Sequence, residues 1–173
     1  PDPLTDKIVS ISYYSKDFEK VTITRDFKKK HKYINSVSSE KELLEDFRKT
    51  INKFQPDILT GYNSDIFDLW FIKERATKNK VKLKLDPLNG EPIYTRGARN
   101  AKPVKINGIT HLDTYIFIRN ALAPRLKTNS LSLDNVAEEM LGQKKLELGV
   151  LPHEAWLDDS DENMNRFSEY NLL

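Results

Sequence analysis

Residues 6–14 of this chain (Lys7-Ile8-Val9-Ser10-Ile11-Ser12-Tyr13-Tyr14 after Asp6) have the alternation of a strand. After a turn at Lys16-Asp17 comes a β-branched run, Val21-Thr22-Ile23-Thr24, and the two predict an antiparallel hairpin. The spacing then changes. Leu43, Leu44, Phe47, Ile51 and Phe54 fall on one face at helical intervals, behind a capping box made by Ser39 and Glu42. That helix is predicted to run to about Lys53, stop ahead of Gln55-Pro56, and pack its apolar face on a sheet. Residues 57–62 read as a second extended run, broken at a polar turn, with a helix following over about residues 66–78. Residues 81–85 alternate again, as a short strand or extended edge, and residues 86–102, with Pro87, Gly90, Pro92 and Gly97, read as a long irregular insertion. Residues 104–106 and 109–112 flank Asn107-Gly108, the pattern of a tight hairpin. Asp113 ends that second strand, a position open to a site residue, and reads as the N-cap of a helix over residues 114–121. Three more helical segments follow. Residues 129–141 are capped near Ser132 and closed by Gly142, with a buried stripe of Leu133, Val136, Ala137, Met140 and Leu141. Residues 152–157 form a short turn or helix, and Ser160 caps a last helix with Asp161 and Glu162 in its first turn. Met164, Phe167 and Leu173 of that helix are expected to face the core.

The order β-β-α-β-α, then a hairpin and helices, is that of an α/β protein, and 173 residues fit one domain with a real core. The composition, 38% hydrophobic and 31% charged, is that of a soluble globular protein. No apolar run approaches the length of a membrane span, so no membrane partner is expected, and the setting reads as intracellular and cytoplasmic. With no cysteine, any metal must be held by oxygen or histidine. The run Lys28-Lys29-Lys30-His31-Lys32 is an exposed charged loop, and His31 has no partner pattern that makes it a ligand.

A net charge of +2 conceals a polarity along the chain. Residues 70–105 carry ten Lys/Arg against three acids, and residues 134–173 carry ten acids against three bases. The basic segment, including Arg96 and Arg99, has the charge to follow phosphates; a solvated lysine-rich face fits it as well.

The turn at Asn63-Ser64-Asp65 carries the candidate chemistry. A strand running straight into a helix places that turn at the carboxyl end of a sheet, where open α/β sheets bind ligands. Asn63 offers an amide for a sugar or phosphate oxygen, Phe67 a ring to stack on or wedge between bases, and Asp68 a carboxylate for Mg²⁺. Ordinary cap and turn chemistry also accounts for Asn-Ser-Asp, and Phe67, Leu69, Trp70 and Ile72 also suit the buried face of a helix.

The segment Ile58-Leu59-Thr60-Gly61-Tyr62-Asn63 followed by Phe67-Asp68 resembles the second exonuclease motif of family B DNA polymerases. Other segments agree in order. Residues 7–12 resemble the strand after the first motif, and residues 37–44 the helix start before the second. Residues 109–115 and 132–136 resemble later family segments, and Tyr170 opens what looks like the third motif, Tyr-x-x-x-Asp. The likeness covers essentially the whole chain and is closest to archaeal members. It implies a ribonuclease-H-like (DnaQ-like) exonuclease fold, a mixed sheet flanked by helices. It also implies 3′→5′ proofreading of DNA during replication, by phosphodiester hydrolysis with two Mg²⁺ or Mn²⁺ ions roughly 4 Å apart. In that scheme Asp68 is a metal ligand and catalytic residue, and Tyr170 orients the attacking water. Asn63 and Phe67 hold the DNA 3′ end. The remainder of a polymerase chain and primer-template DNA are the implied partners.

Two departures set further expectations. The family's Asp-x-Glu motif belongs ahead of Pro1, and the third motif stops at Leu173, short of its aspartate. Residues 1–173 therefore read as an exonuclease-domain fragment lacking its first strand, inactive alone. The lost strand leaves two strand edges open to self-association. A non-catalytic nucleic-acid-binding or scaffolding domain, from a polymerase whose exonuclease has decayed, is the alternative. For Tyr170 a buried core tyrosine remains equally open.

Overall fold

The computed structural model describes residues 1–95, 103–143, 152–158 and 160–172. Arg96 and Arg99 lie outside the described residues, as does Leu173. The chain divides into two compact units, Pro1–Asp6 with Phe47–Lys144, and Lys7–Asp46 with Lys145–Leu173.

In the second of these units, β1 (Ser10–Ser15) and β2 (Phe18–Ile23) form the expected antiparallel hairpin about Lys16-Asp17, with Ser10 opposite Ile23 and Ser15 opposite Phe18. A third strand that the pattern did not reveal, β3 (Ile34–Ser36), lies parallel to β2 and makes the sheet mixed. Three residues are too few to show a period. Val21, Ile23, Phe27 and Ile34 are buried with Ala155 of α5 (Pro152–Leu157) and Met164 and Phe167 of α6 (Asp161–Leu172). Behind the hairpin, the Lys20 ammonium meets the Asp46 carboxylate at 2.7 Å, and the Thr22 hydroxyl donates to the same carboxylate at 2.6 Å. The Lys28–Lys32 loop is tied down through its backbone. Lys28 and Lys29 donate their N–H groups to Asp161 in the first turn of α6, and His31 donates its N–H to Asn165.

Helix α1 (Glu40–Phe54) carries the predicted capping box with one change. The Glu42 N–H donates to Ser39 Oγ at 3.2 Å, but the Glu42 carboxylate reaches the N–H of Ser38 rather than that of Ser39. Leu43, Leu44, Phe47 and Ile51 are buried, whereas Phe54 at the frayed end is exposed.

In the first unit, β4 (Ile58–Gly61) is followed by a six-residue turn and α2 (Asp68–Lys78), which begins two residues later than expected. Residues 81–85 form no strand and enter no ladder among the described residues, and Lys84 takes φ +44°. Val81, Leu83 and Leu85 are buried while Lys82 and Lys84 point outward, so the alternation reports burial without strand pairing. The irregular segment that follows contains a short strand, β5 (Ile93–Tyr94).

The predicted hairpin about Asn107-Gly108 does not form. The turn is there, with Gly108 at φ +80°, but β6 (Val104–Lys105) pairs antiparallel with β5, and β7 (Thr110–Asp113) pairs parallel with β4. An Asn-Gly pair dictates a local reversal only. Ile106 and Ile109 are both buried beside the turn, and the chains on either side of it run to different partners.

After β7 the chain forms α3 (Thr114–Phe117), a π turn over Ile118–Leu122 and a 3-10 turn at Ala123–Arg125. Helix α4 (Leu133–Leu141) has its Ser132 cap, with Ser132 Oγ accepting from Asn135 N–H, and closes on Gly142 at φ +65°. Its predicted buried stripe is a correction: Val136 is buried, but Leu133, Met140 and Leu141 are exposed. A helical period identifies a face and says nothing of what covers it.

Candidate active site

Parallel pairing puts Gly61, at the end of β4, directly beside Asp113, at the end of β7. The turn leaving β4 must fold back tightly at this point. A Cβ on Gly61 would stand 2.5 Å from Ser64 Oγ, so only glycine admits the approach. Asn63 takes the left-handed conformation at φ +61°, which asparagine tolerates better than most residues.

The Asp113 carboxylate organises the turn. One oxygen accepts from the N–H groups of Asn63 at 2.9 Å, Tyr115 at 2.9 Å and Ile116 at 3.4 Å. The other accepts from Asp65 N–H at 3.1 Å. Asp113 thus caps α3, as its position predicted, and in addition clamps the β4–α2 turn. The clamp uses the backbone of Asn63 and not its amide side chain. A second tie comes from His111 on β7, whose Nε2 lies 2.9 Å from Ser64 Oγ and whose Nδ1 lies 3.4 Å from the Asp65 carboxylate. The Thr114 hydroxyl donates to the Gly61 carbonyl at 2.8 Å, and Tyr62 donates to the Leu131 carbonyl at 2.6 Å.

These contacts are turn chemistry and not a helix cap. None of the three side chains caps α2. The cap position is Phe67, with no side-chain hydrogen bond, and the Ser64 carbonyl accepts from Leu69 N–H at 3.0 Å. The Ser64 and Asp65 side chains meet His111 of β7 instead. Leu69, Phe71 and Ile72 are buried, which leaves Phe67 and Asp68 at the head of α2. The Phe67 ring, half-buried, leans on Phe71 with centroids 5.8 Å apart.

Asp68 is exposed as a residue, yet protein atoms crowd its carboxylate and raise its pKa above the usual value, and the Asp113 charge adds to the rise. Its own backbone N–H and His111 act the other way. An acid held uphill of its normal ionisation is a group that gains from a nearby cation.

Asn63, Phe67 and Asp68 are therefore brought together on one turn. Tyr170 lies on α6 in the other unit, half-buried against the Val21–Met164–Phe167 cluster. Its assignment as a water-orienting group rests on the resemblance alone. His111 and Asp113 carry the geometry and were not read as parts of the site. The signals for them were the end-of-strand position of Asp113 and the family-like run over residues 109–115, and the parallel partner that gives them meaning is some fifty residues away in sequence.

An α/β unit that presents an aromatic ring and a carboxylate at the ends of paired parallel strands fits the exonuclease domain of the ribonuclease H-like type. The family described as DNA polymerase family B, exonuclease domain, matches residues 1–136, and the chain belongs to that family. It is 32% identical over 168 residues to a DNA polymerase of Pyrococcus glycovorans, covering 95% of this chain and 20% of the relative. It is 35% identical over 144 residues to a DNA polymerase of Desulfurococcus sp. (strain Tok), covering 81% of this chain and 17% of the relative. With a DNA polymerase of Thermococcus litoralis the identity is 28% over 168 residues, covering 96% and 9%. The chain thus spans a fifth or less of the length of these curated relatives.

Exonuclease domains of this family generally use divalent metals. Among the described residues, no three His, Asp or Glu side chains gather to hold one. Asp113 is spent on backbone N–H groups, so Asp68 offers a single ligand. The described residues alone do not fit a metal pair. Among the described residues no helix is long and apolar enough to cross a membrane.

Proposed function

We propose that this chain carries the DNA-end-binding turn of a 3′→5′ proofreading exonuclease. Asn63 contacts the terminal nucleotide, Phe67 stacks on the last bases, and Asp68 is a ligand for Mg²⁺ or Mn²⁺. The observation that carries the reading is the clamp of Asp113 and His111, which fixes Asn63, Ser64 and Asp65, the turn that leads into Phe67 and Asp68, at the carboxyl ends of β4 and β7. A divalent cation bound there would supply Lewis-acid chemistry. The chain's own contribution is to hold the strand end and one carboxylate in place. The remainder of a polymerase chain and primer-template DNA are the partners this reading requires. β1 and β4, each paired on one side only among the described residues, are edges through which the chain self-associates.

The test uses a labelled single-stranded oligonucleotide with a free 3′ end. Phe67→Ala weakens its binding by about 1–3 kcal/mol, the usual contribution of base–aromatic stacking. Unchanged affinity in that variant overturns the reading. The chain alone leaves the oligonucleotide undigested, because Mg²⁺ sheds water reluctantly and one carboxylate does not hold it. Mg²⁺-dependent shortening by this chain, lost in Asp68→Ala, would overturn the single-ligand account.

A further inference from the structure

The second half of α2 and the segment over residues 80–84 line a groove of about 510 Å³ with Lys73, Lys80, Lys82, Lys84, Asn89 and Glu91. Four lysines face one acid. That acid is already engaged, since the Glu91 carboxylate accepts the N–H of Leu83 at 3.0 Å.

The lysines are held there by the backbone. Val81, Leu83 and Leu85 are buried, which turns Lys82 and Lys84 to the outward side. The segment is fastened through its own carbonyls: Arg48 donates to that of Lys82 at 3.3 Å and Asn52 to that of Lys84 at 3.0 Å. Lys80, Lys84 and Asn89 all take positive φ, at +55°, +44° and +60°. Such conformations cost energy in non-glycine residues and persist where the surroundings enforce them. Lys73 is steadied on the Tyr94 ring, its Nζ 4.8 Å from the centroid.

We propose that this groove is a phosphodiester-backbone site for single-stranded nucleic acid, separate from the Phe67–Asp68 turn. The two lie at opposite ends of α2, about 15 Å apart along an 11-residue helix. A strand whose end sits at Asp68 would then be gripped a second time, a short way along it. The proposal rests on the reading of the chain as a strand-end binder and adds a site which that reading does not use.

The probe is a fluorescein-labelled oligothymidylate, titrated with the full chain by anisotropy over a fourfold range of salt. Lys82→Gln with Lys84→Gln removes two phosphate contacts. It lowers the slope of log affinity against log salt by about 1.4 and shrinks the salt-induced loss of affinity about sevenfold. Lys16→Gln with Lys41→Gln, the same charge change on exposed residues elsewhere, leaves the slope as in the parent. If the two double variants behave alike, the groove proposal is overturned. Loss in the groove variant with none in Phe67→Ala keeps the groove and removes the strand-end reading. The opposite pattern removes the groove and keeps that reading. A parent chain that fails to bind at the lowest salt overturns both, and tighter binding of a blunt duplex overturns the single-strand assignment.

Discussion

Replacing Asp113 by alanine tests whether one carboxylate holds the candidate site together. The substitution withdraws the acceptor for four backbone N–H groups, two in the β4–α2 turn and two in the first turn of α3. Losing an N-cap costs about 1 kcal/mol. Hydrogen bonds to a charged group contribute about 1.5–3 kcal/mol each when fully shielded. Asp113 is only half-buried, so water reaches some of the orphaned donors, and the expected total is about 3 kcal/mol. Urea denaturation should register that loss in the midpoint. Because the chain has two compact units, amide exchange gives the sharper reading. The Asn63 and Asp65 amides should exchange about a hundred-fold faster, the factor that corresponds to about 3 kcal/mol of local protection. Asp113→Asn should fall between, since it keeps an oxygen for Asn63, Tyr115 and Ile116 but sets an amide donor against Asp65 N–H. Asp134→Ala, exposed in the first turn of α4, should change stability by less than about 0.5 kcal/mol. Wild-type exchange at Asn63 and Asp65 in the Asp113→Ala variant would refute the clamp.

Two further outcomes follow from the same geometry. The raised pKa of Asp68 means that the folded state holds its proton more tightly than the unfolded chain, whose value is near 3.8. Stability from that proton is complete below the unfolded pKa and is lost as pH rises through the folded one. Asp68→Asn should therefore melt above its parent at pH 7, with the difference closing toward pH 4; an equal difference at both pH values would dismiss the crowding of this carboxylate. The one-sided pairing of β1 and β4 predicts concentration-dependent association in sedimentation velocity, and a monomer throughout the range would dismiss the edge contacts.

Local chemistry was legible along the chain wherever one short stretch suffices to specify it. Lys16-Asp17 turned the first hairpin, Ser39 and Glu42 started α1, and Ser132 and Gly142 bounded α4, because each of these signals acts over a few residues. The β4 strand and the polar turn after it were equally readable, and with them Asn63, Phe67 and Asp68. What failed was inference about partners. Asn107-Gly108 made its turn while the flanking strands paired elsewhere, and the apolar stripe of α4 formed a helix face that stayed largely exposed.

The sequence by itself determined that a carboxylate and an aromatic ring follow an extended run through a tight glycine-bearing turn. It also carried the resemblance to the family to which the chain belongs. Only the tertiary structure decided what holds them. Parallel pairing of β4 with β7 brings Asp113 and His111, some fifty residues away in sequence, to the turn, where their side chains take up its N–H groups and its serine. A hydrogen-bond acceptor has no period and no preferred spacing from its donors along the chain. The clamp exists only once burial has chosen which strand lies beside which.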